Sequence, residues 1–207
     1  YPVMQYTGQA ALAPLATVAA AVKAQGKDVS ALHGVIGGSP LTQLLTDGKN
    51  KETLENAYDQ MAETIRWARK NAPSVATVFI TSDVFSLGGA QAVQEIAYTF
   101  GVAVEYVREM LKRGISIHDI AQSFYFGFNV GATFFIEIAK LRAARQVWSN
   151  IMKAFGAEEE DRSMKIHAKP AFFTKTIFDV GVNMLRNTTE AFSAVVGGVD
   201  TYENAPY

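Results

Sequence analysis

Cysteine is absent from the 207 residues. A disulfide framework and a thiolate metal site are therefore both excluded, and a reducing, cytoplasmic setting fits. Charge of one sign is absent too. Lys and Arg number 19 against 20 Asp and Glu, a formal net charge of −1. No strong field draws such a chain to nucleic acid or to an anionic membrane surface. Long apolar runs are missing as well. The best candidate, Phe124 to Ile136, is broken by Gly127, Asn129 and Gly131 and falls short of the ~20 residues a membrane helix needs. The opening residues YPVMQYTGQ lack the basic start and apolar centre of a signal peptide. Walker and dinucleotide glycine fingerprints and HExxH, GxSxG and EF-hand spacings are not found, which removes those ready-made chemistries.

What is present is organised around FYFGFNVGATFFIEIAKLRAARQVW, Phe124 to Trp148. Phe124 to Phe128 is an aromatic run suited to a buried strand. From Val130 the period changes. Phe134, Ile138, Leu141, Ala144 and Trp148 recur at helical steps, with Glu137, Lys140, Arg142 and Arg145 at the polar positions. The stretch therefore predicts strand, turn and helix, the helix ending near Gly156. Upstream, Gly8 to Ala24 reads as a helix with Leu12, Leu15, Val18 and Val22 on one face, closed at Gly26. Ala31 to Ile36 reads as a short strand, and Gly37-Gly38-Ser39-Pro40 as a turn that opens a helix. Lys51 to Lys70 is amphipathic, burying Leu54, Tyr58, Met61, Ile65 and Ala68. Val75 to Thr81 is nearly all apolar and β-branched, as a strand covered on both faces requires. Ser82 to Gly89 then reads as a loop. The helix Ala90 to Arg113 follows, with Ile96, Phe100, Val104, Val107 and Leu111 inward. Ser116 and Asp119 mark the start of a short helix. Downstream of the central stretch, Glu158 to Asp161 reads as a solvated acidic run rather than a metal site. Met164 to Ala168 can be a strand, Phe178 to Val196 a helix with Val182, Leu185, Thr189 and Phe192 inward, and Val199 to Tyr202 a last strand.

Strand and helix thus alternate about five times, which predicts an α/β fold with a parallel sheet in one domain, 1–207. Pattern alone does not separate an open sheet from a closed barrel; an eight-fold barrel needs ~250 residues, so the chain would be a large part of one, not all. Both ends look abrupt, and we expect a piece of a longer chain.

In such folds chemistry collects in the loops after the strands' C-terminal ends. Those loops hold little here: Asp83 is the only acid, Lys169 the only base, and Ser82, Ser86 and Asn129 are the other notable polar groups. His33 and His167 fall within strands, and His118 falls on a surface turn. The glycine pairs at 37–38 and 88–89 lie where backbone amides hold anions, without matching a phosphate-binding motif.

The sequence resembles the adenosylcobalamin-dependent acyl-CoA mutases, the methylmalonyl-CoA mutase family. Three segments carry this resemblance in the same order. They are Glu137-Ile138-Ala139-Lys140 with Arg142, Ala143, Arg145 and Trp148; the helix Gly88 to Tyr106 with EIAYT; and Leu185 to Gly198, LRNTTEAFSAVVGG. The resemblance implies a (β/α)8 TIM barrel that binds the acyl-CoA substrate, of which this chain covers middle and later βα units.

The departures are equally specific. The family's loop GYHMQEAG corresponds to Ser82 to Gly89, and Val84 stands where its carbonyl-holding histidine should be. Valine donates no hydrogen bond. The family's RxHxQTSG corresponds to Lys165 to Phe172: His167 survives, while Lys169 and the residues after it replace Gln, Thr, Ser and Gly. Glu203 stands at the position of a second histidine. Ser86, His167, Lys169 and Glu203 are thus degenerate substrate-binding positions, with no catalytic residue and no metal ligand among them. Scaffold kept and polar pocket erased is the pattern of the small (beta) subunit of heterodimeric members, which supports a catalytic large subunit. Adenosylcobalamin is the family's cofactor, and nothing in the residues leads us to expect that this chain binds it by itself. The competing reading is an active mutase for a different acyl-CoA.

Overall fold

The computed structural model describes residues 2–204. The described residues alternate six strands with eight helices. In order they are β1 (Pro2–Tyr6), α1 (Leu12–Ala24), β2 (His33–Gly38), α2 (Pro40–Asp47), α3 (Leu54–Asn71), β3 (Ser74–Thr81), α4 (Asp83–Leu87), α5 (Ala92–Lys112), α6 (Ile117–Ser123), β4 (Phe124–Val130), α7 (Phe134–Ala154), β5 (Ile166–Pro170), α8 (Val180–Gly197) and β6 (Thr201–Tyr202). All strands are parallel and lie in sequence order, β1-β2-β3-β4-β5-β6. The sheet curls until its two edges approach across the concave side, where Met4 Sδ of β1 is 4.0 Å from Thr201 Oγ1 of β6. This is a partial (β/α)8 barrel, as the resemblance implies; the alternation alone implies only a parallel α/β fold.

β4 shows why its aromatic sequence is needed. All seven of its residues are buried. Phe124, Phe126 and Phe128 join the main core with α3, α5, α6 and α7, while Tyr125 joins Val35, Ala76 and Phe79 on the concave side. Trp148 of α7 is the centre of the outer core. Its ring lies 4.8 Å from Phe126, 5.7 Å from Phe100 and 5.9 Å from Phe124. A second core under α1 and α3 gathers Leu15, Ala19, Ile36, Ala68 and Val75. At the β1–β2 contact Gly34 has φ +116°, and a Cβ there would collide with the Val3 carbonyl. Only glycine lets β1 lie this close.

Several expectations change. β1 was not foreseen, since five mostly exposed residues carry no burial pattern. β4 and β5 run on to Val130 and Pro170, so Asn129 and Lys169 lie in strands rather than loops. The segment after β3 is a short helix, α4. His118 lies in α6, behind a Ser116 cap whose Oγ accepts from the Asp119 amide at 3.1 Å. On α1, Leu12 is exposed, and on α5 so is Leu111. Helix α5 buries Phe100 and Val107 as expected and adds Ala103, Tyr106 and Met110. The largest change is on α8. Leu185 and Phe192, expected inward, are 66% and 61% exposed, and the buried side carries Asn183, Asn187, Glu190, Ser193, Ala194 and Gly197. Glu190 decides this orientation. It is fully buried and accepts from Thr174 Oγ1 at 2.8 Å and from Lys175 Nζ. A carboxylate paired inside keeps its helix face in place despite the apolar stripe opposite.

Candidate functional site

Two neighbouring polar constellations occupy the C-terminal ends of β3, β4 and β5. The first is a buried charge cluster. Glu95, in the first turn of α5, is 3% exposed, and Lys140 and Glu137 of α7 are 4% and 9% exposed. The Lys140 ammonium lies 2.8 Å from Glu95 Oε2 and 2.6 Å from Glu137 Oε2, and donates to the Asn129 carbonyl at 2.5 Å. Glu95 Oε1 also accepts from Ser82 Oγ and from the Asn129 amide, the latter at 3.2 Å. The cluster thus fastens the first turns of two helices to the ends of β3 and β4.

The second constellation faces the concave side. Asp83, the first residue of α4, accepts from Asn129 Nδ2 at 2.9 Å and from Lys169 Nζ at 2.7 Å. This ion pair runs from the end of β3 to β5. Beside it a cavity of about 140 Å³ is lined by Met4, Tyr6, Phe79, Asp83, His167 and Glu203, among others. His167 is buried on β5, its Nδ1 3.0 Å from Thr201 Oγ1 and its Nε2 3.7 Å from Glu203 Oε2. Burial, assisted by the Lys169 charge, holds the imidazole below its ordinary range against the pull of Glu203 and Asp83. Burial and the charges of Asp83 and Asp47 push the Tyr6 phenol up to about 12. The cavity therefore presents a protonated phenol and an imidazole biased toward its neutral form.

The structure separates the residues singled out in the sequence. His167, Lys169 and Glu203 meet at the small cavity. Ser86 lines a different space, an open cavity of about 680 Å³ between the first turns of α5 and α7 that also includes Glu95, Asn129, Glu137 and Lys140. Val84, in α4, lines neither. Sequence reasoning missed the buried cluster by assigning Glu137 and Lys140 to a polar face. A signal was available. Glu137, Lys140, Leu141, Ala144 and Trp148 share one helical phase, so two charges fall on the core side of their own helix.

The methylmalonyl-CoA mutase family model matches residues 1–207. The chain belongs to the methylmalonyl-CoA mutase family. It is 30% identical over 195 residues to the methylmalonyl-CoA mutase small subunit of Porphyromonas gingivalis, covering 93% of this chain and 31% of that protein. It is also 30% identical over 193 residues to methylmalonyl-CoA mutase of Escherichia coli, covering 93% of this chain and 27% of that protein. The human mitochondrial methylmalonyl-CoA mutase is 27% identical over 179 residues, covering 86% and 24%. This mutase-family chain therefore spans roughly a quarter to a third of these relatives. No described helix is long and apolar enough to cross a membrane.

Proposed function

We propose that this chain is part of a small, non-catalytic mutase subunit that supports a catalytic large subunit in methylmalonyl-CoA to succinyl-CoA isomerisation. The observation that carries this reading is the Asp83–Lys169 ion pair, braced by Asn129, across the end of the concave side. The charges a substrate pocket would use are spent on each other. The remaining cavity of about 140 Å³ is below the ~300 Å³ at which ligand pockets begin. Val84 offers no donor to a thioester carbonyl.

The family is generally cobalamin-dependent. The α5–α7 cavity holds one buried acceptor without a partner, Asn129 Oδ1, but it is not a cobalamin site. No histidine lines it to meet a cobalt ion, and a ring-and-nucleotide cofactor is larger than about 680 Å³.

The test is turnover of methylmalonyl-CoA with adenosylcobalamin by the full-length parent protein, alone and mixed with its large subunit. Silence alone and activity only in the mixture support the reading; turnover by the parent alone overturns it in favour of an active mutase with altered specificity. Val84→Ala in the mixture should leave turnover within about twofold, since the half-buried side chain has no polar partner to lose.

A further inference from the structure

The opposite end of the sheet carries a different chemistry. Helix α6 leads into β4, and the 3-10 turn Glu159–Arg162 precedes β5, so both lie beside the strands' N-terminal ends. They bring together residues about forty apart in sequence. His118 Nδ1 is 2.8 Å from Asp161 Oδ1 and 3.0 Å from its Oδ2. Among the described residues, His118, Glu160 and Asp161 each offer a ligand atom, and these atoms all lie within 4.8 Å of one another.

Asp161 is the unusual member. The acidic run from Glu158 reads as solvated, and its first three residues are exposed, but Asp161 is 4% exposed. Its partners are the His118 imidazole and the Gln122 amide, the latter at 3.4 Å. A buried carboxylate held by an imidazole and an amide lacks a permanent cation, and burial makes that costly. A carboxylate only accepts, so in the metal-free chain His118 Nδ1 carries the proton of this bond.

We propose that His118, Glu160 and Asp161 form a binding site for a divalent transition-metal ion, zinc by its ligand set, that clips α6 to the connection before β5. One imidazole and two carboxylates match the donors zinc takes, and the two negative charges neutralise the ion. Bonds of ~2.0–2.1 Å in a tetrahedron place ligand atoms about 3.3–3.4 Å apart. The 2.8 Å His118–Asp161 contact opens slightly to reach this, and the exposed Glu160 side chain swings in. The neutral ring then takes its other tautomer, with the proton on Nε2, and water fills the fourth position. The ion would act on stability, not on the chemistry at the far end of the barrel.

The experiment is a calorimetric and thermal-shift titration of the metal-stripped full-length protein with Zn²⁺, with Mg²⁺ in parallel. One equivalent of Zn²⁺ should bind and raise the Tm by about 3–6 °C, as a ligand selective for the folded state does. His118→Gln and Glu160→Gln should each weaken binding at least about tenfold, while His33→Gln on β2 should change nothing. Glu160 is exposed, so its variant keeps the test valid if His118→Gln fails to fold. Substituted Co²⁺ should show the strong visible bands of a four-coordinate site. Zn²⁺ affinity unchanged in Glu160→Gln, an equal response to Mg²⁺, or a six-coordinate Co²⁺ spectrum would each overturn the site.

Discussion

Two buried side chains decide the behaviour of this protein at the residue scale. Among the described residues, Lys140 is the cation that bridges Glu95 and Glu137. Lys140→Met keeps the bulk but leaves two carboxylates buried without a counter-charge, which costs about 3–5 kcal/mol. At about 2–4 °C per kcal/mol for a chain of this size, Tm should fall by roughly 10 °C. A loss under about 1 kcal/mol would mean that water reaches the cluster through the adjoining cavity. His167 sets a pH dependence. Burial favours its neutral form in the folded chain, so the unfolded chain binds the extra proton first. The contribution is complete above the ordinary histidine value of ~6.5 and is lost as pH falls through the window below it. Chemical denaturation should show stability falling across that window, and His167→Gln should flatten the fall. An unchanged slope in the variant would place the acid sensitivity elsewhere.

The contact of α7 with α8 is the informative one at the element scale. Arg145 of α7 closes the C-terminal end of α8, donating to the Gly197 carbonyl at 2.8 Å and to that of Gly198. Unpaired carbonyls at a helix end favour such a cation. Beneath it the helices touch at Gly197, where a Cβ would sit 2.6 Å from Leu141 Cδ1 and 3.2 Å from Leu141 Cβ. Gly197→Ala gains up to ~1 kcal/mol of helix propensity. Overpacking against a fully buried leucine costs about 1–3 kcal/mol, so the variant should be net destabilised. Adding Leu141→Ala should cost less in the Gly197→Ala background than in the wild type, because the methyl then fills space. Additive losses in urea titrations would show that the two helices adjust without meeting here.

Uneven support for the six strands governs the molecule as a whole. β3 and β4 are buried almost throughout and are covered by the main core, whereas β1 is largely exposed and β6 has only two residues. Backbone bonds open locally where few apolar contacts cover them. Hydrogen exchange on the 207-residue chain should therefore leave β3 and β4 amides the slowest and exchange those of β1 and β6 first. Uniform protection across the sheet would show that the edges fold with the centre as one unit.

The sequence alone determined what repeats along the chain. Unbroken apolar runs marked β3 and β4, and the 3.6-residue period marked α3, α5 and α7 and placed Trp148 in the core. The ordered motifs carried the family. Tertiary structure alone decided which side of a helix meets the sheet and which distant groups pair. Periodicity shows that α8 has an apolar stripe, but Glu190 and its partners before the helix turn the polar side inward. The same limit hid the cluster of Glu95, Glu137 and Lys140, the Asp83–Lys169 bridge across 86 residues and the His118–Asp161 pair across 43. A charge on a core phase looks like a defect until the fold supplies its counter-charge from another element.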